Sequence, residues 1–252
     1  MLIVVSPAKR LDETPARAPG GTDPVFAGEA IALARLAGAL DAGALERLMH
    51  ISPALARLNA ARFAAFGSGG GEKQAIEMFA GDTYAGLEAA SLDPDEMDYA
   101  QRHLRILSGL YGVLRPRDRI APHRLEMGTR LENPRGRNLY AFWADRIAAR
   151  LAGEARALGT DTLVNCASVE YFTAADRGAP GLRVVTPVFL EDHANGPRIV
   201  AVFAKQARGA MARFMIQTRL SDPAGLADFD RGGYRFQPRM STPDRPVFLR
   251  GT

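Results

Sequence analysis

Lysine is nearly absent from this 252-residue chain. It carries three, Lys9, Lys73 and Lys205, against 29 arginines. Arginine therefore supplies the generic positive charge. A retained lysine marks a place where a compact ammonium, able to shed its proton when buried, can do what a guanidinium cannot. Cysteine is scarcer still. The single Cys166 excludes an internal disulfide and fits a reducing compartment, so a cytoplasmic location is expected. The longest apolar runs fall well short of the 18 or so residues that a membrane helix needs. The opening "MLIVVSPAKR" has a short apolar core and no leading charge, and reads as a first strand, not a signal peptide. There is no G-x-S-x-G, no complete Walker loop and no G-x-G-x-x-G. The four histidines, His50, His103, His123 and His193, are scattered. His123 and Glu126 have i, i+3 spacing in "HRLE", but in a loop or strand, so no metal and no cofactor is expected.

What the chain does have is an ordinary globular composition, 47% hydrophobic and 24% charged. A chain of this length buries roughly 75% of its unfolded surface without staples. No repeat or long linker interrupts it, so a single domain over 1–252 is expected. The net charge is only +4, but it is unevenly spread. Residues 81–100 hold six acids and no base, 102–137 hold nine arginines against three acids, and 205–219 hold four bases and no acid. Two basic clusters suit an anionic partner. A solvated outer face is the plain alternative for either one.

Strand and helix patterns alternate. Residues 2–5 read as a buried strand, and helices are expected at about 28–50, 53–66 and 72–80. "SGGG" at 68–71 reads as a loop, and Lys73 just after it as a loop residue kept by chance. Ser52–Pro53 and Asp93–Pro94 with Glu96 are helix starts, the latter a capping box, for helices 53–66 and 93–107. A helix over 137–158 carries the stripe Leu139, Phe142, Trp143, Ile147 and Leu151. Strands follow at about 162–166, 183–189 and 198–204, the last two as a hairpin through "HANGPR". Then come a helix at 205–220 and short strands near 233–236 and 247–250. The fold class is α/β, a mixed sheet covered by helices.

Residues 104–116, "LRILSGLYGVLRP", place Gly109 and Gly112 in an apolar run flanked by Arg105, Arg115 and Arg117. Gly109 suits a helix terminus. Gly112 permits a further turn whose amides could cup an anion. Helix, two-glycine hairpin and following element is the plan of a helix-hairpin-helix, although Pro116 and Pro122 leave no room for a full second helix. A helix cap and tight turn made of core residues fits the same letters. In helix 205–220, Ala207, Ala210, Met211, Phe214 and Met215 share one face, with Lys205, Arg208 and Arg219 opposite and Arg213 at the margin. Lys9, Glu170 and Tyr171 lie just past strand ends, where open α/β sheets place ligand sites. A cleft of Lys9, Arg124, Glu126, Glu170 and Lys205 is consistent with that placement. Cys166, in the apolar strand of "LVNCASVEY", reads as a small buried hydrophobe.

The runs "SPAKRLD", "FAGDTYAGL", "QRHLRILSGLYGVLRPRDRIAPHRLEMGTRLENPRGRNLYAFW", "NCASVEYF" and "AKQARGAMARFMI" closely resemble the YaaA family of bacterial peroxide-stress proteins, in matching order from residue 1 to about 250. The resemblance implies a single α/β domain of unusual topology with a positively charged cleft and a helix-hairpin-helix-like element. It implies a cytosolic protein that answers hydrogen peroxide, binds duplex DNA without strong sequence preference and limits iron-driven DNA damage. No enzymatic activity is securely attached to the family. The hairpin maps to Ser108 through Val113, and the cleft to Lys9, Arg124, Lys205, Arg208 and Arg213. His123 stands where tyrosine is usual and Cys166 where "NLAS" is usual. The expected contact set is thus Lys9, Arg105, Ser108, Gly109, Tyr111, Gly112, Arg115, Arg117, Arg124, Lys205, Arg208 and Arg213, with Glu126, Glu170 and Tyr171 lining the cleft. The expected partner is the duplex DNA backbone, engaged by a monomer away from membranes. The alternative is an enzyme acting on a phosphorylated or nucleotide-like small molecule through Lys9, Glu126, Glu170 and Lys205.

Overall fold

In a computed structural model the chain is described at residues 1–17, 19–68, 71–176 and 181–251. In chain order come β1 (Leu2–Val5), β2 (Arg10–Leu11), α1 (Ala27–Gly38), α2 (Ala42–Met49), α3 (Pro53–Ala64), β3 (Lys73–Gln74), α4 (Ala75–Met78), β4 (Phe79–Ala80), α5 (Asp82–Leu87) and α6 (Pro94–His103). Then follow β5 (Leu104–Ser108), β6 (Gly112–Leu114), β7 (Arg119–Ile120), α7 (Leu139–Trp143), α8 (Arg146–Ala157), β8 (Thr162–Cys166), α9 (Val169–Ala175), β9 (Arg183–Val185), β10 (Val188–Glu191), α10 (Ala201–Thr218), β11 (Tyr234–Phe236) and β12 (Val247–Arg250).

The central sheet has the order β6-β5-β1-β8-β9. β1 runs parallel to both β5 and β8, β8 is parallel to β9, and β6 returns antiparallel to β5. The mixed sheet expected from the sequence is therefore present. β1 and β8 are buried along their whole length, as continuous apolar strands at the centre of a covered sheet must be. From β1 the chain passes to β5 on one side, and from β8 to β9 on the other. The crevice past their carboxyl ends is thus a topological switch point. A smaller sheet, β10-β12-β11, stands apart from the central one, and one apolar core runs from Met1 to Phe248.

Helix α10 packs on β1, β8, β10 and, most closely, α5. Two glycines allow that closeness. A Cβ on Gly209 would strike the Thr83 carbonyl, and one on Gly86 the Gln206 carbonyl. The crossing fixes Lys205 and Arg208 opposite the segment that opens α5.

Several elements differ from the sequence expectation. Helix α6 has the expected capping box at Asp93 and Glu96 but stops at His103, and "LRILS" continues as β5. An apolar run of five reads equally well as either element, and pairing with β1 decides it. Ala144, at φ 46°, divides the expected helix 137–158 into α7 and α8. The expected strand 183–189 is divided between two sheets at Pro187, which has no N–H to give a ladder. The expected hairpin to 198–204 is reduced to a single Glu191–Arg198 bridge. Residues from Ala201 join α10 because Ala204 and Ala207 bury at helical spacing. Lys73 is buried in β3, with Nζ 3.2 Å from the carbonyls of Asp12 and Thr14 and 3.4 Å from the Asp12 carboxylate. It ties the segment after β2 to the core and is not a loop residue kept by chance. Residues 69 and 70 of the expected glycine loop lie outside the described residues.

Candidate functional site

The two-glycine segment is a β-hairpin, β5 to β6, and no helix-hairpin-helix forms there. Its residues serve the core. Ser108 Oγ accepts from the Tyr111 amide at 3.1 Å, and the Tyr111 hydroxyl accepts from the Ala121 amide at 3.0 Å. Both side chains are buried, and burial pushes the Tyr111 phenol upward. The Trp143 indole donates to the Gly109 carbonyl at 2.9 Å. A Cβ on Gly109 would meet the Leu125 carbonyl. One on Gly112 would lie 2.7 Å from the Trp143 ring, and Gly112 has φ 69°. The paired glycines thus admit an indole and a neighbouring chain, and they present no amides to solvent.

The arginines around the hairpin are also committed. Arg105 is 5% exposed, bonds Glu154 of α8 through Nε and donates to the Gln101 and Leu104 carbonyls. Arg115 pairs with Asp118 at 2.8 Å and donates to the Asp23 carbonyl at 2.9 Å. Arg117 pairs with Asp98 at 2.6 Å. Arg213 of α10 closes the carboxyl end of α5, donating to the Leu87 and Glu88 carbonyls at 3.1 and 2.8 Å. None of these lines the crevice past β1 and β8.

That crevice is a cavity of about 530 Å³. It is walled by the "SPAKR" turn after β1, the turn after β8, the start of α5 and one side of α10. The floor is locked from both strands. The Ser168 amide donates to Ser6 Oγ at 2.8 Å, the two hydroxyls lie 3.3 Å apart, and the Tyr84 hydroxyl donates to the Ser6 carbonyl at 3.2 Å. Lys9, Lys205, Arg208, Glu170 and Tyr171 all line it, together with Arg10 and Asp82. The Lys9 and Lys205 side chains are 66% and 55% exposed. Arg208 is half-buried, and burial lowers its guanidinium from the ordinary value, opposed by the nearby Cys166. It makes no hydrogen bond or ion pair with another described residue.

Arg124 and Glu126 adjoin the cavity through Lys9. Glu126 accepts from Lys9 at 2.8 Å and from Arg124 at 2.9 Å. Burial opposes its ionisation, but the bonds and charges of those two cations prevail and hold its carboxyl below the usual range. Glu170 accepts from the Gly128 amide at 2.9 Å. Cys166 is buried in the floor, where burial pushes its thiol up to about 12 despite the Arg208 charge. The Tyr171 phenol is raised by burial, then by Glu170 and Glu126. Lys205 is 3.9 Å from Asp82, a loose exposed pair.

Arg10 and Asp82 were not among the expected site residues. Arg10 adjoins Lys9 in "SPAKR", and that adjacency was the available signal. Asp82 lies in the acidic run, where only the run's net sign was apparent. Among the described residues no three His, Cys, Asp or Glu side chains cluster closely enough to hold a metal. No described helix is long and apolar enough to cross a membrane.

Residues 1–240 match the family model described as peroxide stress protein YaaA. A UPF0246 protein of Ruegeria pomeroyi is 55% identical over 253 residues, covering 99% of this chain and 98% of its own. One from Jannaschia sp. is 56% identical over 251 residues, covering 99% and 97%. One from Roseobacter denitrificans is 55% identical over 255 residues, covering 99% and 98%. The switch-point cleft is thus carried by a chain that belongs to the YaaA family of peroxide stress proteins.

Proposed function

We propose that this protein works in peroxide defence in the cytoplasm by holding the phosphate backbone of duplex DNA at the mouth of the switch-point cleft. One observation carries the reading. Lys9, Arg10, Lys205 and Arg208 converge on that cleft against three carboxylates: Asp82 beside Lys205, Glu126 shared between Lys9 and Arg124, and Glu170, which is already bonded to an amide. Phosphate contacts of this kind position a protein without reading sequence. The aromatic ring in the cleft lining, Tyr171, is buried, so there is no exposed platform for stacking unpaired bases. That favours duplex over single strand. Each phosphate neutralised releases condensed counterions, and any effect on iron-driven damage is read as indirect. Glu126 is doubly ion-paired and the Cys166 thiol stays protonated at neutral pH, which supports binding over nucleophilic or acid–base chemistry.

The test is a gel-shift titration against salt with unrelated duplexes. Four phosphate contacts correspond to a log–log slope of about −3.6. Absence of binding at low salt, or strong discrimination between sequences, contradicts the reading.

A further inference from the structure

We infer that the cleft holds a single phosphorylated nucleotide unit, its phosphate on Arg208 and its sugar and base along the Pro7–Ala8 wall. The inference rests on the proposed contact with DNA phosphate but goes deeper into the same site. Lys9 and Lys205 stand at the rim and can meet a backbone passing over the surface. Arg208 is less exposed than either. It is half-buried in the cavity, shares the lining with the Ser6 and Ser168 hydroxyls, and makes no bond to another described residue. The contrast with Arg105 is informative. The buried guanidinium of Arg105 is neutralised by Glu154, whereas the half-buried guanidinium of Arg208 has beside it a thiol held protonated. A guanidinium left so is completed by an anion entering the cavity, and its planar fork suits two oxygens of one phosphate.

The size of the space selects among anions. A duplex cannot enter 530 Å³, and inorganic phosphate would leave most of it filled with water. Cavities of about 300–1,000 Å³ hold small organic ligands. The apolar strip of Pro7, Ala8 and Ala80 on one wall suits the less polar part of a nucleoside. The ligand class is therefore a nucleoside 5′-monophosphate, present either as the phosphorylated end of a duplex or as a free nucleotide.

Calorimetric titration of the full chain with thymidine 5′-monophosphate, thymidine and inorganic phosphate tests the pocket. Gel shifts with a 5′-phosphorylated duplex, the same duplex with 5′-hydroxyl ends and a covalently closed circle identify the source. The monophosphate should bind at least about tenfold more tightly than either thymidine or phosphate, and Arg208→Gln should remove that advantage. A preference for phosphorylated ends of about fivefold or more, lost in the variant, assigns the pocket to DNA termini. Arg208-dependent monophosphate binding with no end preference supports the pocket and assigns it to free nucleotide. Duplex binding that persists without monophosphate binding or end preference overturns the pocket and leaves the backbone reading standing. Monophosphate binding without duplex binding at low salt does the reverse. If Arg208→Gln melts early, Arg208→Lys replaces it. The same loss is expected, because an ammonium cannot make the two parallel bonds, and full retention of affinity in that folded variant overturns the assignment.

Discussion

The β5–β6 hairpin and the cleft at the ends of β1 and β8 use similar residue types to opposite ends. Both are rich in arginine and both depend on glycines. In the hairpin, Arg105 is sealed against Glu154 and the glycines admit the Trp143 ring. In the cleft, Arg208 faces a cavity without a partner among the described residues. The glycines there, Gly86 and Gly209, lie behind the wall and let α10 approach α5. The difference teaches that a basic residue near a glycine turn indicates a phosphate site when it faces a cavity, as Lys9, Lys205 and Arg208 do, and not when it is sealed into the core, as Arg105 is. Substitutions in the two regions should therefore separate stability from binding.

The largest expected effect is on the hairpin side. Arg105→Ala opens a buried gap and leaves Glu154 to Arg150, and should cost about 3 kcal/mol of folding stability, the low end for a broken buried pair. Denaturant unfolding measures it, and a loss below about 1 kcal/mol would remove the structural role assigned to this arginine. Gly112→Val forces a β-branched side chain to φ 69° and into the Trp143 ring, for a loss of about 3 kcal/mol. DNA affinity of any folded fraction should be unchanged. A folded Gly112→Val protein with weakened DNA binding would return the hairpin to the interface.

Next comes pH. Burial holds the His123 imidazole down at about 4, outweighing its bond to the Ala121 carbonyl. Above about pH 6.5 it is neutral both folded and unfolded and adds no pH dependence. Below that the unfolded chain takes up the proton first, so stability falls between about pH 6.5 and 4 and levels off lower. The loss is on the order of 3 kcal/mol. Unfolding curves across that range for the wild type and His123→Phe should show a shallower acid limb in the variant. Identical limbs would shift the cause to other groups.

The smallest stability effect belongs to the cleft. Lys205→Ala should change stability by no more than about 0.5 kcal/mol and flatten the DNA salt slope by about one unit. Lys205→Arg should keep affinity within about tenfold, because a phosphate contact at the rim needs charge more than shape. Failure of arginine to substitute, in a folded protein, would point to proton chemistry at this position.

The sequence made the cleft more legible than the hairpin, for a physical reason. Lys9, Glu170 and Tyr171 sit just beyond strong apolar strands, and strand ends in an α/β sheet are where loops converge. Lys205 and Arg208 were legible from one helical face. That Arg115, Arg117 and Arg213 are spent on Asp118, Asp98 and the end of α5 depends on contacts across the fold, which spacing does not carry. The same holds for Lys73, whose main-chain acceptors lie 61 and 59 residues away. The end of α6 at His103 was hidden because "LRILS" has no helix-stopping residue, and its strand identity comes from pairing with β1.

The central claim, that the switch-point cations hold DNA phosphate, is tested most directly by one comparison of salt dependence. Duplex binding is measured across salt for the wild type and for a Lys9→Gln/Lys205→Gln/Arg208→Gln variant whose melting is shown to be near that of the wild type. The account predicts that the slope flattens by about 2.7 units, 0.9 for each phosphate contact removed. An unchanged slope in the folded triple variant would contradict it and place the DNA contact elsewhere on the protein.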